Sequence, residues 1–396
     1  INIYKNNLIK NPGQYHWDNF KKRESDLKNL KKINQKLLNY LRLKLNSYLG
    51  HNYSERFWKI ILLPWIWMFT SYLLDRWTIL LNLSKKIPDL EYKKQNFNEK
   101  SFITNDHMYF KRSMTQSFWN SYIFHEILKF TKIFTWNKSY KFKKKNLVNK
   151  YRHFGENNKI THNFLKKINP GKIFLHNAYL TRRLKIILYL KFKTFFPFYN
   201  KSFHVPEYKC SIKLRDKIFP KNQNDKSFFN FILSQLKYNF PLCYLEGIKD
   251  LIEKAQNTNW PRKPKYILTS VSYDSDELFK IYSALKSEEG SKYYILQHGG
   301  NLGTSDFNLG HSVQRQISDR FFTWGLKVDK KDHPLFISST HVANKIKKNK
   351  QSKGLLLPIT EIHRFPAKIQ STPRMRRDAK IYVNQISLLN LHHYNQ

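Results

Sequence analysis

The chain has 396 residues, of which 41% are hydrophobic, so it is long enough for two or three domains with a sizeable core. Its 71 Lys and Arg outnumber its 28 Asp and Glu, and the formal net charge of +43 indicates an attraction to phosphates and acidic lipids. The lysines are spread along the whole chain and are enriched together with Asn, Ile, Phe and Tyr. We therefore attribute the charge to genome composition, which argues against a specific nucleic-acid partner.

The cysteines and the absence of common catalytic motifs exclude several classes of protein. Cys210 and Cys243 have no Cys-x-x-Cys partner and no His pair at metal spacing. This argues against a structural zinc site and for a reducing compartment. The sequence contains no dinucleotide-binding glycine motif, P-loop, zinc-protease motif or serine-hydrolase motif. It begins at Ile1 without a visible signal peptide, and we expect it to be a fragment of a longer protein.

Residues 17–49 are predicted to form a long amphipathic helix. From Leu27 to Tyr48, apolar residues recur at three- and four-residue steps with lysines between them. This spacing is typical of a helix with one face in the core. Asp18 is placed to cap its start.

The next stretch, 60–74, is almost entirely apolar. It contains Pro64 and is shorter than the roughly twenty residues that a membrane-spanning helix needs. A buried helix is therefore the first interpretation. The alternative is an interfacial helix over residues 58–77 that contacts an acidic membrane, with four tryptophans at headgroup level. These tryptophans are Trp58, Trp65, Trp67 and Trp77.

The middle of the chain gives weaker signals. Residues 82–160 are rich in lysine and asparagine, which favours loops and short helices. Residues 172–199 contain a second apolar and basic stretch that Pro197 ends, and 226–255 has helical spacing.

From residue 265 onwards the pattern becomes that of an α/β protein. Tyr266–Ser270 and Tyr293–Gln297 are short β-type runs, and Asp276–Lys286 between them has helical spacing. Strand, helix and strand together span about thirty residues, the size of one right-handed βαβ unit. Arg320–Trp324 is a third candidate strand, and 354–360 is a fourth.

The predicted organisation has four parts. A mainly helical region covers 1–160, and a Rossmann-like α/β domain with a helical insert covers 161–326. A linker over 327–353 leads to residues 354–396, which we expect to begin a second, truncated α/β domain.

Polar residues follow the first two predicted strands. Because ligands bind beyond the carboxyl ends of parallel strands, we expect these residues to meet at one edge of the sheet. They are Ser270, Ser272, Tyr273, Asp274, Gln297, His298 and Asn301. The backbone N–H groups of Gly299, Gly300 and Asn301 are expected to form an anion-binding nest, beside the positive end of the helix that starts near Asp276.

His298 is the best candidate for a catalytic group, because imidazole titrates near neutrality and this one precedes two glycines at a strand end. The alternative is that it caps a turn. For Asp274 and Glu277, the spacing favours a capping box over a catalytic carboxylate pair. Asp319 either binds a substrate hydroxyl or, as we favour, ends a short helix or turn before the third strand. Trp324 either stacks on a base or sugar or lies in the core.

Several segments together resemble those of bacterial surface-polysaccharide (O-antigen-type) transferases. The segments are Gln297–Asn301, Ile317–Gly325, His51–Trp65, Asp75-Arg76, Phe240–Glu246, and Thr269-Ser270 with Asp276-Glu277. Two positions depart from the family's pattern. Gln314 stands where that pattern has an acidic residue, and Leu326 stands where it has an aromatic one.

The resemblance implies a GT-B-like enzyme with two Rossmann-like domains facing a cleft, and it places His298 on the cleft floor. It implies transfer of a sugar, or a related group, from a nucleotide-activated donor to a carbohydrate or lipid-linked acceptor of a growing surface polysaccharide. No cofactor and no obligatory metal are expected. The expected location is the cytoplasm or the inner face of the plasma membrane, with donor-site residues beyond residue 396. The remaining alternative is a basic nucleic-acid-binding or membrane-peripheral protein without enzymatic activity.

Overall fold

The computed structural model describes residues 15–88, 91–141, 171–194, 205–219, 225–299, 307, 309–335 and 369. Within these ranges the chain forms an α/β structure with eleven helices and seven strands. Five of the strands form one parallel sheet, and the other two form a separate parallel pair.

Two long helices form the centre of the N-terminal region, α1 (Phe20–Leu49) and α2 (Glu55–Lys86). The predicted apolar stripe of α1 faces the core. Its cap is not the predicted Asp18 but Asn19, whose side chain accepts a hydrogen bond from the backbone N–H of Lys22. Asp18 lies one residue too early, because it belongs to a short 3-10 turn that precedes the helix.

Helix α2 is the central helix of the core and is longer than predicted. Ser54 caps it, and Pro64 lies inside it without ending it. In the part of the chain that the structure describes, α2 alone is long and apolar enough to cross a membrane by length and composition, and 94% of its apolar window is buried inside the protein. The four predicted headgroup tryptophans are at most 8% exposed. They pack in the core, so the structure agrees with the buried helix and corrects the interfacial placement of these side chains.

The elements between α2 and the second strand of the main sheet are shorter than α1 and α2. In chain order they are β1 (Glu91–Asn96), α3 (His107–Ser113), α4 (Ser117–Thr131), β2 (Thr135–Lys141), β3 (Ile173–Leu175), α5 (Arg182–Lys191), α6 (Ile212–Ile218), α7 (Phe228–Asn239) and α8 (Ile248–Gln256). Strands β1 and β2 pair in parallel. Helices α3 and α4 confirm the short helices predicted within 82–160, and α7 and α8 confirm the helical spacing of 226–255. Helices α5 and α6 and strands β1 and β2 were not predicted.

The main sheet has the strand order β3-β4-β5-β6-β7, and every neighbouring pair is parallel. The three predicted strands are confirmed as β4 (Tyr266–Thr269), β5 (Lys292–Leu296) and β6 (Arg320–Thr323). Strand β3 and strand β7 (Asp332–Pro334) were not predicted, and β7 lies inside the expected linker. The predicted strand at 354–360 lies outside the described residues.

Three helices connect the strands of this sheet. They are α9 (Ser272–Ser275), α10 (Glu277–Glu288) and α11 (Leu309–Ile317). Helix α10 confirms the predicted βαβ unit, because it joins the parallel neighbours β4 and β5.

The N-terminal helices and the α/β region share one hydrophobic core. Helix α2 packs against α1 and also against α10 and α11. Of residues 354–396 the structure describes Ile369, which is fully buried in the same core. Its N–H donates to Ser71 Oγ at 3.0 Å, and its carbonyl accepts from Arg23 Nε at 2.7 Å. This residue therefore packs with the N-terminal helices.

Candidate functional site

The carboxyl edge of the main sheet brings together the residues that follow β4 and β5. The two strands run in parallel register, with Thr269 opposite Ile295, so Ser270 and Gln297 leave the sheet side by side. This is the edge at which open parallel sheets bind ligands.

Ser270 and Ser272 are fully buried and hold the loop that follows β3. Ser270 Oγ accepts a hydrogen bond from the N–H of Tyr179 at 3.0 Å, and Ser272 Oγ accepts from Asn177 Nδ2 at 2.8 Å. Both hydroxyls thus fix the loop after β3, which borders the site. Tyr273 is also buried, and burial raises the pKa of its phenol.

Asp274 lies in α9 and forms an ion cluster with helix α3. Its Oδ1 lies 2.9 Å from His107 Nε2, and its Oδ2 accepts from Lys111 Nζ at 2.5 Å. Burial alone raises the pKa of this carboxyl, but the hydrogen bonds and charges of His107 and Lys111 outweigh burial and hold the pKa well below its usual range. Asp274 is therefore an anion at neutral pH.

The predicted capping box of Asp274 and Glu277 is wrong. The cap of α10 is Asp276, whose Oδ1 accepts from the N–H of Phe279 at 2.9 Å. The other carboxylate oxygen of Asp276 lies 2.9 Å from His176 Nε2. Because the cap carboxylate already occupies the positive end of α10, that helix end does not offer the anion site that the sequence indicated.

Glu277 belongs to a buried structural network. Its Oε2 lies 2.8 Å from Lys280 Nζ, and its Oε1 accepts from the Tyr244 hydroxyl at 3.1 Å and from the N–H of His107 at 3.3 Å. Glu277 and Lys280 are at most 3% exposed. This network fixes α3 against α10 and thereby holds His107 and Lys111 in place.

Helix α3 supplies two residues of the site that the sequence did not reveal. His107 and Lys111 stand four residues apart, so they lie on one face of this short helix. Asp106 caps the helix by accepting from the N–H of Tyr109 at 2.7 Å. The cap and the four-residue spacing are visible in the sequence. Nothing in the sequence indicates that this face meets Asp274.

His298 follows β5 and is half-buried. Its ring hydrogen-bonds the backbone of Ser270, while its Nδ1 is buried and has no partner among the described residues. Burial lowers the pKa of this imidazole; the charge of Asp274 acts in the opposite direction, and Lys111 adds to the lowering. The ring is therefore neutral at neutral pH. Because one nitrogen donates to Ser270, Nδ1 carries a lone pair that is able to accept a proton.

The turn after His298 has a backbone that requires glycine. Gly299 has φ of 146°, and a Cβ added there would meet no atom of the described residues within 4 Å. The ring of His311, from α11, hydrogen-bonds the backbone of Gly299, and burial lowers the pKa of His311 to about 4. His311 was not predicted, because only the fold brings α11 to this turn. Gly300 and Asn301, the rest of the predicted nest, lie outside the described residues.

Gln297 and Trp324 lie at the same edge. The Gln297 N–H donates to the carbonyl of Phe322 at 2.8 Å, and its Oε1 accepts from the N–H of Trp324 at 2.9 Å. Gln297 thus joins the ends of β5 and β6. The Trp324 side chain is 38% exposed, so it is not the core residue that one interpretation expected.

Among the predicted site residues that the structure describes, Asp319 alone lies elsewhere. It precedes β6 and therefore lies at the amino edge of the sheet, opposite His298. Its Oδ2 accepts from Arg56 Nη2 at 2.6 Å and from the N–H of Tyr293 at 2.8 Å. These contacts agree with the turn interpretation of Asp319 and place it away from the edge that carries His298.

The carboxyl edge thus combines a neutral histidine, a fixed carboxylate, a partly exposed lysine and an open glycine turn. A histidine with a free lone pair is able to act as a general base, and a nearby carboxylate stabilises the imidazolium that forms. Over the ranges given above, no group of three His, Cys, Asp or Glu side chains is arranged to hold a metal ion.

Comparison with known proteins gives one match. The family described as the LIC12162 family transferase matches residues 5–390, which include every described residue. No curated protein and no solved structure matches the chain.

Proposed function

The chain belongs to the LIC12162 family of transferases, and from that premise we propose that it transfers a sugar, or a related group, from a nucleotide-activated donor to a surface-polysaccharide acceptor. In this proposal the acceptor is a carbohydrate or a lipid-linked glycan of the O-antigen type. The enzyme is GT-B-like, with the donor held between the described sheet and a second Rossmann-like domain. It acts in the cytoplasm or at the inner face of the plasma membrane, without a cofactor or an obligatory metal.

The observation that carries the proposal is His298 Nδ1, which is buried and has no hydrogen-bond partner among the described residues. Transfer to a hydroxyl requires a base that takes the proton while the acceptor oxygen attacks the donor carbon. The new carbon–oxygen bond forms, the bond to the donor phosphate breaks, and the nucleotide leaves with its phosphates. The acceptor proton moves to Nδ1, where the negative charge of Asp274 favours the imidazolium.

Three further features support a ligand at this turn. No described residue comes within 4 Å of a Cβ built at Gly299, so a substrate is able to approach this backbone closely. The Lys111 side chain is 31% exposed, and its ammonium lies at the same edge, where it favours a phosphate or a leaving anion. Trp324 offers a half-exposed ring that can stack on a sugar or a base.

The test is a His298→Ala variant, compared with wild type in the release of nucleoside diphosphate from a panel of nucleotide sugars. We expect the transfer rate to fall by about 10²–10⁴, the usual contribution of a general base. The unfolding midpoint should change little, because His298 is only half-buried. His51→Ala is the matched control, since His51 is an exposed histidine in the loop between α1 and α2. If the His298→Ala variant transferred at the wild-type rate, His298 would not be the catalytic base.

A further inference from the structure

Helix α5 exposes an apolar stripe. Among the helices that the structure describes, it is the one without a buried residue. Ile186, Ile187 and Leu190 are 48%, 47% and 68% exposed. These residues are spaced three and four apart around Leu190, so they lie on one face of the helix.

The opposite face of α5 is anchored to the sheet. Leu188, Tyr189 and Phe192 pack against an apolar cluster on the outer face of the sheet. The ring of Phe192 lies 5.3 Å from that of Tyr266 in β4. Thr181 caps the helix by accepting from the N–H of Leu184 at 3.2 Å. The apolar stripe therefore points away from the sheet while the helix stays fixed.

Positive charge surrounds the stripe. Residues 171–194 contain six Lys and Arg and no Asp or Glu. Five of these cations are exposed: Lys172, Arg182, Arg183, Lys191 and Lys193. The last four lie on α5 or within two residues of its end. An apolar helical face bordered by cations is typical of helices that lie in the interface of an anionic membrane.

We propose that α5 is a membrane-docking surface, and that its occupant is a bilayer rich in anionic phospholipid. Ile186, Ile187 and Leu190 enter the boundary between headgroups and acyl chains, and the cations contact lipid phosphates. Charge complementarity selects the anionic surface. The apolar stripe selects lipid over nucleic acid, because phosphate backbones offer no apolar phase in which to bury it. The docking helix is thus α5, not the buried α2.

The position of α5 connects this surface to the candidate site. The loop before α5 contains Tyr179, whose N–H donates to Ser270 Oγ and whose ring lies 6.4 Å from the ring of His298. A bilayer on α5 would thus lie one loop away from the His298 turn. This step rests on the proposed function, and it assigns the acceptor to the lipid-linked class.

The test is sedimentation of the protein with vesicles of phosphatidylcholine alone or mixed with phosphatidylglycerol. We expect binding to the mixed vesicles that weakens as salt rises. Ile187→Glu/Leu190→Glu should weaken it by about tenfold or more, since burial of two aliphatic side chains is lost. Leu43→Glu is the matched control, because Leu43 is 64% exposed on α1 and stands between Arg42 and Lys44; it should bind as wild type does.

A second pair of variants tests the contribution of the positive charges. Arg182→Gln/Arg183→Gln removes two cations of α5, and Lys31→Gln/Lys32→Gln on α1 is its control. Each cation near an anionic surface contributes about a fivefold gain in binding, so only the first pair should show a large loss. The proposal is overturned if wild type ignores the mixed vesicles, or if Leu43→Glu loses as much binding as the α5 variant. It is also overturned if the Arg182→Gln/Arg183→Gln variant alone loses vesicle binding and duplex DNA displaces the vesicles completely. That result would indicate a site for polyanions in general.

Vesicle binding is measured without donor or acceptor, so its outcome does not depend on the proposed transfer. If transfer occurs, the Ile187→Glu/Leu190→Glu variant should retain wild-type activity on a water-soluble acceptor. Its activity on an acceptor embedded in the mixed vesicles should fall with its binding. Equal losses on both acceptors would show that the stripe supports the site rather than the membrane contact.

Discussion

The two edges of the five-stranded sheet carry similar ion pairs. At the carboxyl edge Asp274 binds Lys111, and at the amino edge Asp319 binds Arg56. Each carboxylate has a second partner: Asp274 also lies against the His107 ring, and Asp319 accepts from a backbone N–H. An ion pair at a strand end therefore does not by itself distinguish a site from a structural contact.

The difference between the edges is a polar group that the fold leaves unsatisfied. At the carboxyl edge, Nδ1 of His298 is buried without a partner in the described part of the chain. At the amino edge, Oδ2 of Asp319 satisfies both Arg56 and the strand backbone. Buried polar groups normally find partners. His298 Nδ1 is one of several described atoms without one, and it stands out because it lies at the edge where parallel sheets bind ligands. We therefore expect a substrate to be its partner. Three sets of substitutions and one measurement of pH dependence test this contrast.

The largest effect is expected from Asp274→Asn. The substitution removes the anion that stabilises protonated His298 and leaves Lys111 without its carboxylate. We expect the transfer rate to fall by about 10², at the lower end of the range for losing an acid–base group. Steady-state kinetics at fixed pH, with thermal unfolding in parallel, measure this. A transfer rate within a few-fold of wild type would show that the Asp274–Lys111 ion pair has a structural role only.

Asp319→Asn is the matched change at the amino edge. It weakens hydrogen bonds to a charged guanidinium and to the N–H of Tyr293, so the free energy of unfolding should fall by about 2 kcal/mol. The transfer rate of the folded protein should stay unchanged, because the residue lies at the far end of the strands. Urea unfolding measures the change in stability, and steady-state kinetics measure the transfer rate. A lower transfer rate with unchanged stability would indicate that Asp319 binds the substrate.

The glycines offer a second matched pair, one at each edge. Gly299 follows β5 and Gly290 precedes it; both have positive φ, and a Cβ at either position would meet open space. Alanine at either site should lower the free energy of unfolding by about 1 kcal/mol through backbone strain. Only Gly299→Ala should also raise KM, because its methyl group enters the space that we assign to the ligand. Equal kinetics for both variants would mean that the space at Gly299 is not used.

The sequence predicted the centre of the sheet and the location of the candidate site. Strands β4, β5 and β6 have clear apolar runs, and the spacing of α10 is helical, so a βαβ unit followed from periodicity alone. Strand β7 could not be predicted in this way, since Asp332–Pro334 has no β-type pattern and gains its place by pairing with β6.

The residues that complete the site could not be predicted, because they come from distant parts of the chain. Asp274 and His107 are 167 positions apart, and only the packing of α3 on α10 brings them together. The capping box failed for a local reason. Asp274, Asp276 and Glu277 lie within four residues, and the short helix α9 moves the helix start to Asp276. The buried tryptophans of α2 show the same limit, since composition alone did not distinguish a core helix from an interfacial one.

The smallest effect is expected in the pH dependence of transfer, and its direction is specific. A neutral His298 is required, so kcat/KM should fall as the pH drops through its folded pKa, which burial lowers beneath the ordinary value of 6.5. Asp274 raises this pKa, so in Asp274→Asn the acidic limb should move to lower pH. Lys111 lowers it, so in Lys111→Met the limb should move to higher pH, while Lys31→Met on the exposed face of α1 should not shift it. Shifts in the same direction for both site variants would show that the titrating base is a group other than His298.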